Sequence, residues 1–272
     1  MGLLLPKFSA LGSLYHGESP EYLQMALSSL NEQSLKADEV ILVFDGPVGD
    51  ELQIIVQRWQ KKLNIKVVAL QTNQGLGDAL NHGLAACTHS YIARFDTDDI
   101  NAPERFEKQL KIAVEKNADL VSATVEEFDQ VPGDLQRFRC ASQSEHLKKQ
   151  LAKRNVINHM AVLFKKDAVL LAGGYLHLHF MEDYYLWLRM KSNNAQFILM
   201  PESLVDARIG NGMEKRRSGW NYVKSEWQLA KVKNQLGYTS KLSGAMLFCL
   251  RASTRLLPVS ILKSIYKVFL RN

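Results

Sequence analysis

Asp96-Thr97-Asp98-Asp99 puts three carboxylates on a stretch too short to keep them apart. Crowded carboxylates repel one another unless a cation or a donor compensates. The helix expected just after them has its own start signals: Asn101 as N-cap, Pro103 in the first turn, and Glu104 three residues beyond Asn101 as in a capping box. Capping therefore does not account for the acids. Oxygen ligands on a short loop suit Mg2+ or Mn2+, which keep waters and bind through one or two carboxylates plus substrate phosphates. A solvated acidic turn is the competing reading. A second acidic pair, Glu182-Asp183, opens a mostly apolar helical stretch, 184–190. Acids in a first turn suit the helix dipole, and a carboxylate is also a group that takes a proton from a hydroxyl. Arg208-Ile209-Gly210-Asn211-Gly212-Met213 leads into Lys215-Arg216-Arg217. A Gly-bearing loop ending in adjacent arginines fits a diphosphate, whose oxygens guanidinium groups bind in pairs; a solvated basic turn fits nearly as well.

The elements around these residues alternate. Apolar, β-branched runs at 8–15, 40–44, 65–70 and 91–95 read as strands, and 21–33, 51–62 and 77–86 read as the helices between them. That order builds a parallel sheet covered on both faces, with ligands outside the carboxyl ends of the strands. Beyond residue 118 the pattern becomes irregular, with strands expected at 120–128, 161–164 and 197–200 and helices at 182–191, 214–236 and in the tail. The residues just past the first four strands are Tyr15-His16, Asp45-Gly46, Asn73 with Gly75, and the Asp96–Asp99 run. They describe an anionic crevice suited to a cation or to sugar hydroxyls, although Asp, Asn and Gly also gather at strand ends as turn formers.

The chain has 272 residues, 46% hydrophobic and 23% charged, enough for a sizeable core and unlike a disordered chain. Only Cys87, Cys140 and Cys249 occur, far apart, which suggests a reducing, cytosolic setting rather than a disulfide scaffold. No apolar run approaches the roughly 20 residues needed to span a bilayer, and no signal peptide is expected. Net charge is +6, and residues 241–272, with six Lys or Arg and no acid, carry all of it. Lys263, Lys267 and Arg271 recur every four residues opposite Leu257, Ile261, Ile265 and Val268. A neutral body with a basic amphipathic tail points to an anionic membrane surface rather than to nucleic acid; packing on the body is the alternative.

Taken together, several segments resemble family-two glycosyltransferases of the GT-A fold, of the type that builds bacterial O-antigens, capsules and exopolysaccharides. They are 91–99 with its Asp-x-Asp, Val43-Phe44-Asp45-Gly46, 73–81, Pro103-Glu104-Arg105-Phe106 and 182–189. The resemblance implies an α/β, Rossmann-like, mostly parallel sheet flanked by helices: a domain over 1–240, with a nucleotide half at 1–117 and an acceptor half at 118–240, and a helical extension at 241–272. It implies inverting transfer of one sugar from a nucleoside diphosphate, preferably UDP, to a polyprenyl-diphosphate-linked saccharide. Asp98 would hold the metal with Asp96 beside it, Asp183 would be the base and Glu182 its acidic neighbour. Tyr15, Asp45, Asn73, Gly75, Asn81 and Arg94 would form the nucleotide side, and His159 would line the sugar pocket. Trp187, four residues after Asp183 on the same helix face, offers a sugar platform if it is not core. Phe44 stands before a lone Asp45 where the family often has two acids. No Q-x-x-R-W of processive synthases occurs, which favours single additions. Rossmann dinucleotide binding fails because no G-x-G-x-x-G follows the first strand, the G-x-G at Gly75 to Gly77 standing after the third with Leu80 in place of the last Gly, and no P-loop signature exists. A silent nucleotide-sugar-binding or assembly protein and a nucleotidyltransferase releasing pyrophosphate remain as rivals.

Overall fold

The computed structural model describes residues 4–209 and 219–255. Strands β1 (Phe8–Leu14), β2 (Glu39–Phe44), β3 (Ile65–Ala69) and β4 (Tyr91–Arg94) pair in parallel in the order β3-β2-β1-β4. The crossovers run through α1 (Pro20–Asn31), α2 (Asp50–Leu63) and α3 (Leu76–Ala86). Continuous apolar strands are what a sheet buried on both faces requires. Val40 and Leu42 enter one core with the apolar stripes of α1, α2 and α4 (Arg105–Glu115), while Ile41 and Val43 enter a second core with α3. Helix α3 lies close on the sheet because Gly83 has no side chain: a Cβ there would stand 2.3 Å from Leu11 Cδ1 and 2.7 Å from Val43 Cγ2.

Past β4 the sheet changes direction. β8 (Leu163–Lys165) pairs antiparallel with β4 and with β6 (Leu120–Phe128); β9 (Phe197–Arg208) runs parallel to β6, β5 (Ile100–Asn101) closes the edge against β9, and β7 (Arg137–Arg139) pairs with β6. Helices α5 (Leu147–Lys153), α6 (Lys166–Leu171), α7 (Glu182–Ser192), α8 (Trp220–Gln235) and α9 (Lys241–Arg255) complete this half, with a 3-10 turn at His159–Ala161. Parts of α5, α6, α7 and α8 join the second core.

Three local expectations are corrected. Asn101 is not an N-cap: it is extended in β5 against Val205, its carboxamide meets Arg105 and Ser29, and α4 starts at Arg105. Tertiary strand pairing overrides the local capping pattern there. β9 extends well past residue 200, because the β6–β9 register jumps from Ala123↔Met200 to Thr124↔Ser203 and Pro201, which has no N–H to donate, falls in the irregularity. The helix expected over 214–236 begins at Trp220 after Gly219, and 214–218 lie outside the described residues.

The first half of the basic tail is docked. Arg251 of α9 donates to both carboxylate oxygens of the buried Glu226 on α8, at 2.7 and 2.9 Å, and to the carbonyl of Lys153 at the end of α5, at 3.2 Å. Lys263, Lys267 and Arg271 lie outside the described residues.

Candidate functional site

The carboxyl ends of β1 to β4 share one rim. Tyr15, just past β1, is 45% exposed and stands edge-on to His16. Asp45, just past β2, is buried: its carboxylate accepts from the amides of Gln74 (2.6 Å) and Gly75 (3.1 Å), and its carbonyl accepts from Asn73 Nδ2 (3.2 Å). Asp45 thus ties the loop after β3 to the end of β2. Gly75 opens α3 with φ +88, a conformation that side chains disfavour.

Past β4 the acids gather. Asp96, Asp98 and Asp99 each bring a carboxylate oxygen within 4.8 Å of the others. Burial, then Asp96 and Glu18, push the Asp98 carboxyl up to about 7; burial, then Asp96 and Asp98, push Asp99 well above the carboxylate range. One Asp99 oxygen accepts from the Arg208 amide at 2.8 Å, and the other is buried without a hydrogen-bond partner among the described residues. The buried Arg94 pairs with Asp96, which holds the guanidinium above its usual value although burial alone would lower it. Behind it Arg105, also buried, donates to the Arg94 carbonyl at 2.6 Å. Several hard oxygens short of positive charge match a divalent cation such as Mg2+ or Mn2+. Glu18, missed in the sequence, belongs to this group: it accepts from Thr97 Oγ1 at 2.5 Å, and burial raises its carboxyl. Its only sequence signal was its place shortly after β1.

The facing wall is the start of α7. Asp183 accepts from Asn155 Nδ2 at 2.9 Å, and burial, then its own backbone and Asp183, set the Glu182 carboxyl, with a net rise. Gly77 of α3 abuts Glu182, so the two helix starts meet on the same rim: a Cβ at Gly77 would lie 3.1 Å from Glu182 Cγ. Asn81 of α3 clamps the segment leading to α7, donating to the Tyr175 carbonyl (2.7 Å) and accepting from its amide (2.8 Å). The Tyr175 hydroxyl meets His159 Nε2 at 2.9 Å. Burial drives the Tyr175 hydroxyl up; the charge of Arg94 opposes this, and those of Asp183 and Asp96 add to it. Burial and then Arg94 hold His159 well below its usual value, as a neutral ring.

Several expected contacts are corrected. Trp187 is fully buried, its ring inclined 63° to that of His159, and offers no face to a sugar; its large apolar ring is worth more in the core. The Arg94 guanidinium is buried and pairs with Asp96 through Nη2. Arg208 spends its guanidinium on the carbonyls of Asp98 and Asp129, 3.3 Å each, and on the rings of Tyr22 and Phe128. Asp45 and Asn81 are occupied in shaping the pocket's loops. Arg216 and Arg217 lie outside the described residues.

Residues 14–170 match the family described as glycosyl transferase family 2. The amylovoran biosynthesis glycosyltransferase AmsE of Erwinia amylovora is 44% identical over 264 residues, 96% of this chain and 98% of that protein. The UDP-Gal:alpha-D-GlcNAc-diphosphoundecaprenol beta-1,3-galactosyltransferase of Escherichia coli is 38% identical over 269 residues, 98% of each. Among solved structures, S. aureus TarS 1-349 in complex with UDP-GlcNAc superposes with a TM-score of 0.70 at 19% identity, over 92% of this chain and 72% of that one. The mannosyltransferase PcManGT of Pyrobaculum calidifontis, in complex with GDP-Man and Mn2+, gives 0.66 at 15% identity, over 97% and 80%. The mixed sheet flanked by helices is the GT-A fold.

Proposed function

The chain belongs to glycosyl transferase family 2 and is a glycosyltransferase; we propose that it moves one hexose from a UDP-sugar to a lipid-linked saccharide, with inversion. The carrying observation is that the Asp96, Asp98 and Asp99 cluster ends β4 while Glu182, at the start of α7, abuts Gly77 at the start of α3 on the same edge of the sheet, and the charges of Asp96 and Asp183 both reach Tyr175. Asp96 and Asp98 would hold Mn2+ or Mg2+, which when bound would supply positive charge against the departing diphosphate. Arg94 fixes Asp96, and Glu18 fixes Thr97 between the two acids. Tyr15 and the 73–75 loop tied down by Asp45 take the base and ribose. His159 and Tyr175 form the inner wall of the sugar pocket, and Arg216 and Arg217 pair with phosphate oxygens. The acceptor hydroxyl attacks the anomeric carbon from the face opposite the diphosphate; the carbon–oxygen bond to phosphate breaks, and the hydroxyl proton passes to Asp183. Direct displacement inverts the anomeric configuration.

A polyprenyl-diphosphate-linked saccharide in surface polysaccharide assembly is the acceptor class, a reading supported by the name of the E. coli relative. It also agrees with the outer face of α9, where Leu242, Met246 and Leu250 are 81%, 59% and 62% exposed at four-residue spacing. The adjoining α5 side exposes Lys148, Lys149, Lys153 and Arg154. Such a surface suits an anionic bilayer, so the enzyme works peripherally on the cytoplasmic face of the plasma membrane, through 241–272, and not on nucleic acid. No helix among the described residues is long and apolar enough to cross a membrane.

A donor panel tests the reading: nucleoside diphosphate release from UDP-galactose, UDP-glucose, their N-acetylated forms, GDP-mannose and dTDP-rhamnose, with Mn2+ or EDTA and a lipid-diphosphate-GlcNAc acceptor. Metal-dependent release from a UDP-hexose is expected. Release only from GDP-mannose or dTDP-rhamnose, or release undiminished by EDTA, contradicts it.

A further inference from the structure

We infer that Asn155 is a positioning residue for the base, setting the plane of the Asp183 carboxylate toward the acceptor; this rests on the proposed role of Asp183. The carboxamide is held at both ends. Its Nδ2 donates to Asp183 Oδ2 at 2.9 Å, while its Oδ1 accepts from the Ile157 amide at 3.1 Å, which fixes which end of the amide faces the acid.

The strap carrying Asn155 is rigidly mounted. Upstream, Leu147 and Leu151 bury α5 in the second core, and the hydroxyl of Tyr184, the residue after Asp183, donates to the Leu151 carbonyl at 2.5 Å. Arg251 of α9 holds the next turn through the Lys153 carbonyl. Downstream, Asn158 donates to the carbonyls of Ala123 and Arg139 at 2.8 and 2.9 Å. Asn155 is thus placed by α5, α9 and β6, and Asp183 by α7, which Tyr184 ties to α5, so the hydrogen bond spans two elements already fixed against each other. A short carboxylate on the first turn of a helix has two rotatable bonds, and proton transfer needs its oxygen within hydrogen-bond reach of the hydroxyl. A donor locked from the opposite side removes that freedom before the acceptor arrives. Nothing in the sequence pointed to Asn155, because it follows a short basic helix and belongs to no motif.

Two variants separate positioning from loop support. Asn155→Asp keeps an oxygen for the Ile157 amide but replaces the donor by a repelling carboxylate; Asn155→Ala loses both bonds. Positioning predicts that kcat falls about 10- to 100-fold in Asn155→Ala and at least as far in Asn155→Asp, the effect expected of one hydrogen bond to a charged group. The donor KM and calorimetric UDP binding in Mn2+ stay at wild-type values. Near wild-type kcat in Asn155→Asp with a loss confined to Asn155→Ala means loop support alone and overturns the inference, as does unchanged kcat in both. Should Asn155→Ala not fold, Asn155→Asp decides by itself. Asp183→Asn, run alongside, separates the two levels: retained turnover there removes the base reading itself, whereas an inactive Asp183→Asn with active Asn155→Asp removes only the role of Asn155.

Discussion

Lys233 is an amine enclosed between α8 and α9, and its titration reports how tightly these two helices pack. It is 5% exposed on α8, its ammonium lies 4.6 Å from the centre of the Tyr184 ring, and burial, then Arg251, lower it from 10.5 to about 7, with Glu226 acting the other way. Between those values the unfolded chain binds nearly one proton more than the folded one, so stability rises with pH, by at most about 1.4 kcal/mol per pH unit. At about pH 7 the folded side chain is half protonated; integrating from there to about pH 9 gives roughly 2 kcal/mol, or about 4–8 °C in Tm. Lys233→Met keeps the packed stem and removes the titration. Urea unfolding of both proteins across this range should show wild type gaining about 2 kcal/mol on the variant as pH rises. The difference between the two curves cancels every other titrating group. A constant difference, or one in which wild type loses ground, would refute a buried neutral lysine and with it the tight closure of α9 on α8.

Other expectations follow from the same contacts. Asn81→Ala strips the Tyr175 amide and carbonyl of their partner and should cost about 2–4 kcal/mol in urea unfolding, with a fall in kcat because that segment feeds Asp183; an unchanged midpoint speaks against the clamp. Gly83→Ala must push α3 off Leu11 and Val43 and should cost about 1–3 kcal/mol, read as a lower Tm. A chain stopped after Arg255 keeps the Arg251–Glu226 pair, so it should hold its Tm and its turnover of a soluble acceptor analogue while binding anionic vesicles less. A chain stopped after Ser240 should lose stability and turnover as well, and equal behaviour of the two truncations would contradict the docking of α9.

Where local pattern and tertiary structure agree, the sequence was legible. The four parallel strands are apolar on both faces because both faces are covered, and their ends deliver Asp45, Asn73 and the 96–99 acids to one rim as strand direction requires. Asn101 misled because a capping pattern is local, whereas its pairing partner Val205 is about a hundred residues away. Side-chain type likewise pointed to Arg94, Arg208 and Trp187 as ligand contacts, but type does not encode direction: all three turn inward, two to hold acids and carbonyls and one to fill the core. Glu18 and Asn155 were invisible for the converse reason. Each lies in an unremarkable loop and gains meaning only from a partner, Thr97 or Asp183, brought near by folding.

Sugar transfer by these acids is tested most directly by incubating UDP-galactose, Mn2+ and a lipid-diphosphate-GlcNAc acceptor with wild type, Asp98→Asn and Asp183→Asn, and following UDP release together with the anomeric configuration of the product by NMR. Wild type should release UDP in step with a β-linked product, Asp98→Asn should lose the metal response, and Asp183→Asn should bind donor yet turn over slower by about 100-fold or more. An α-linked product, or wild-type rates in either variant, would contradict inverting transfer driven from this rim.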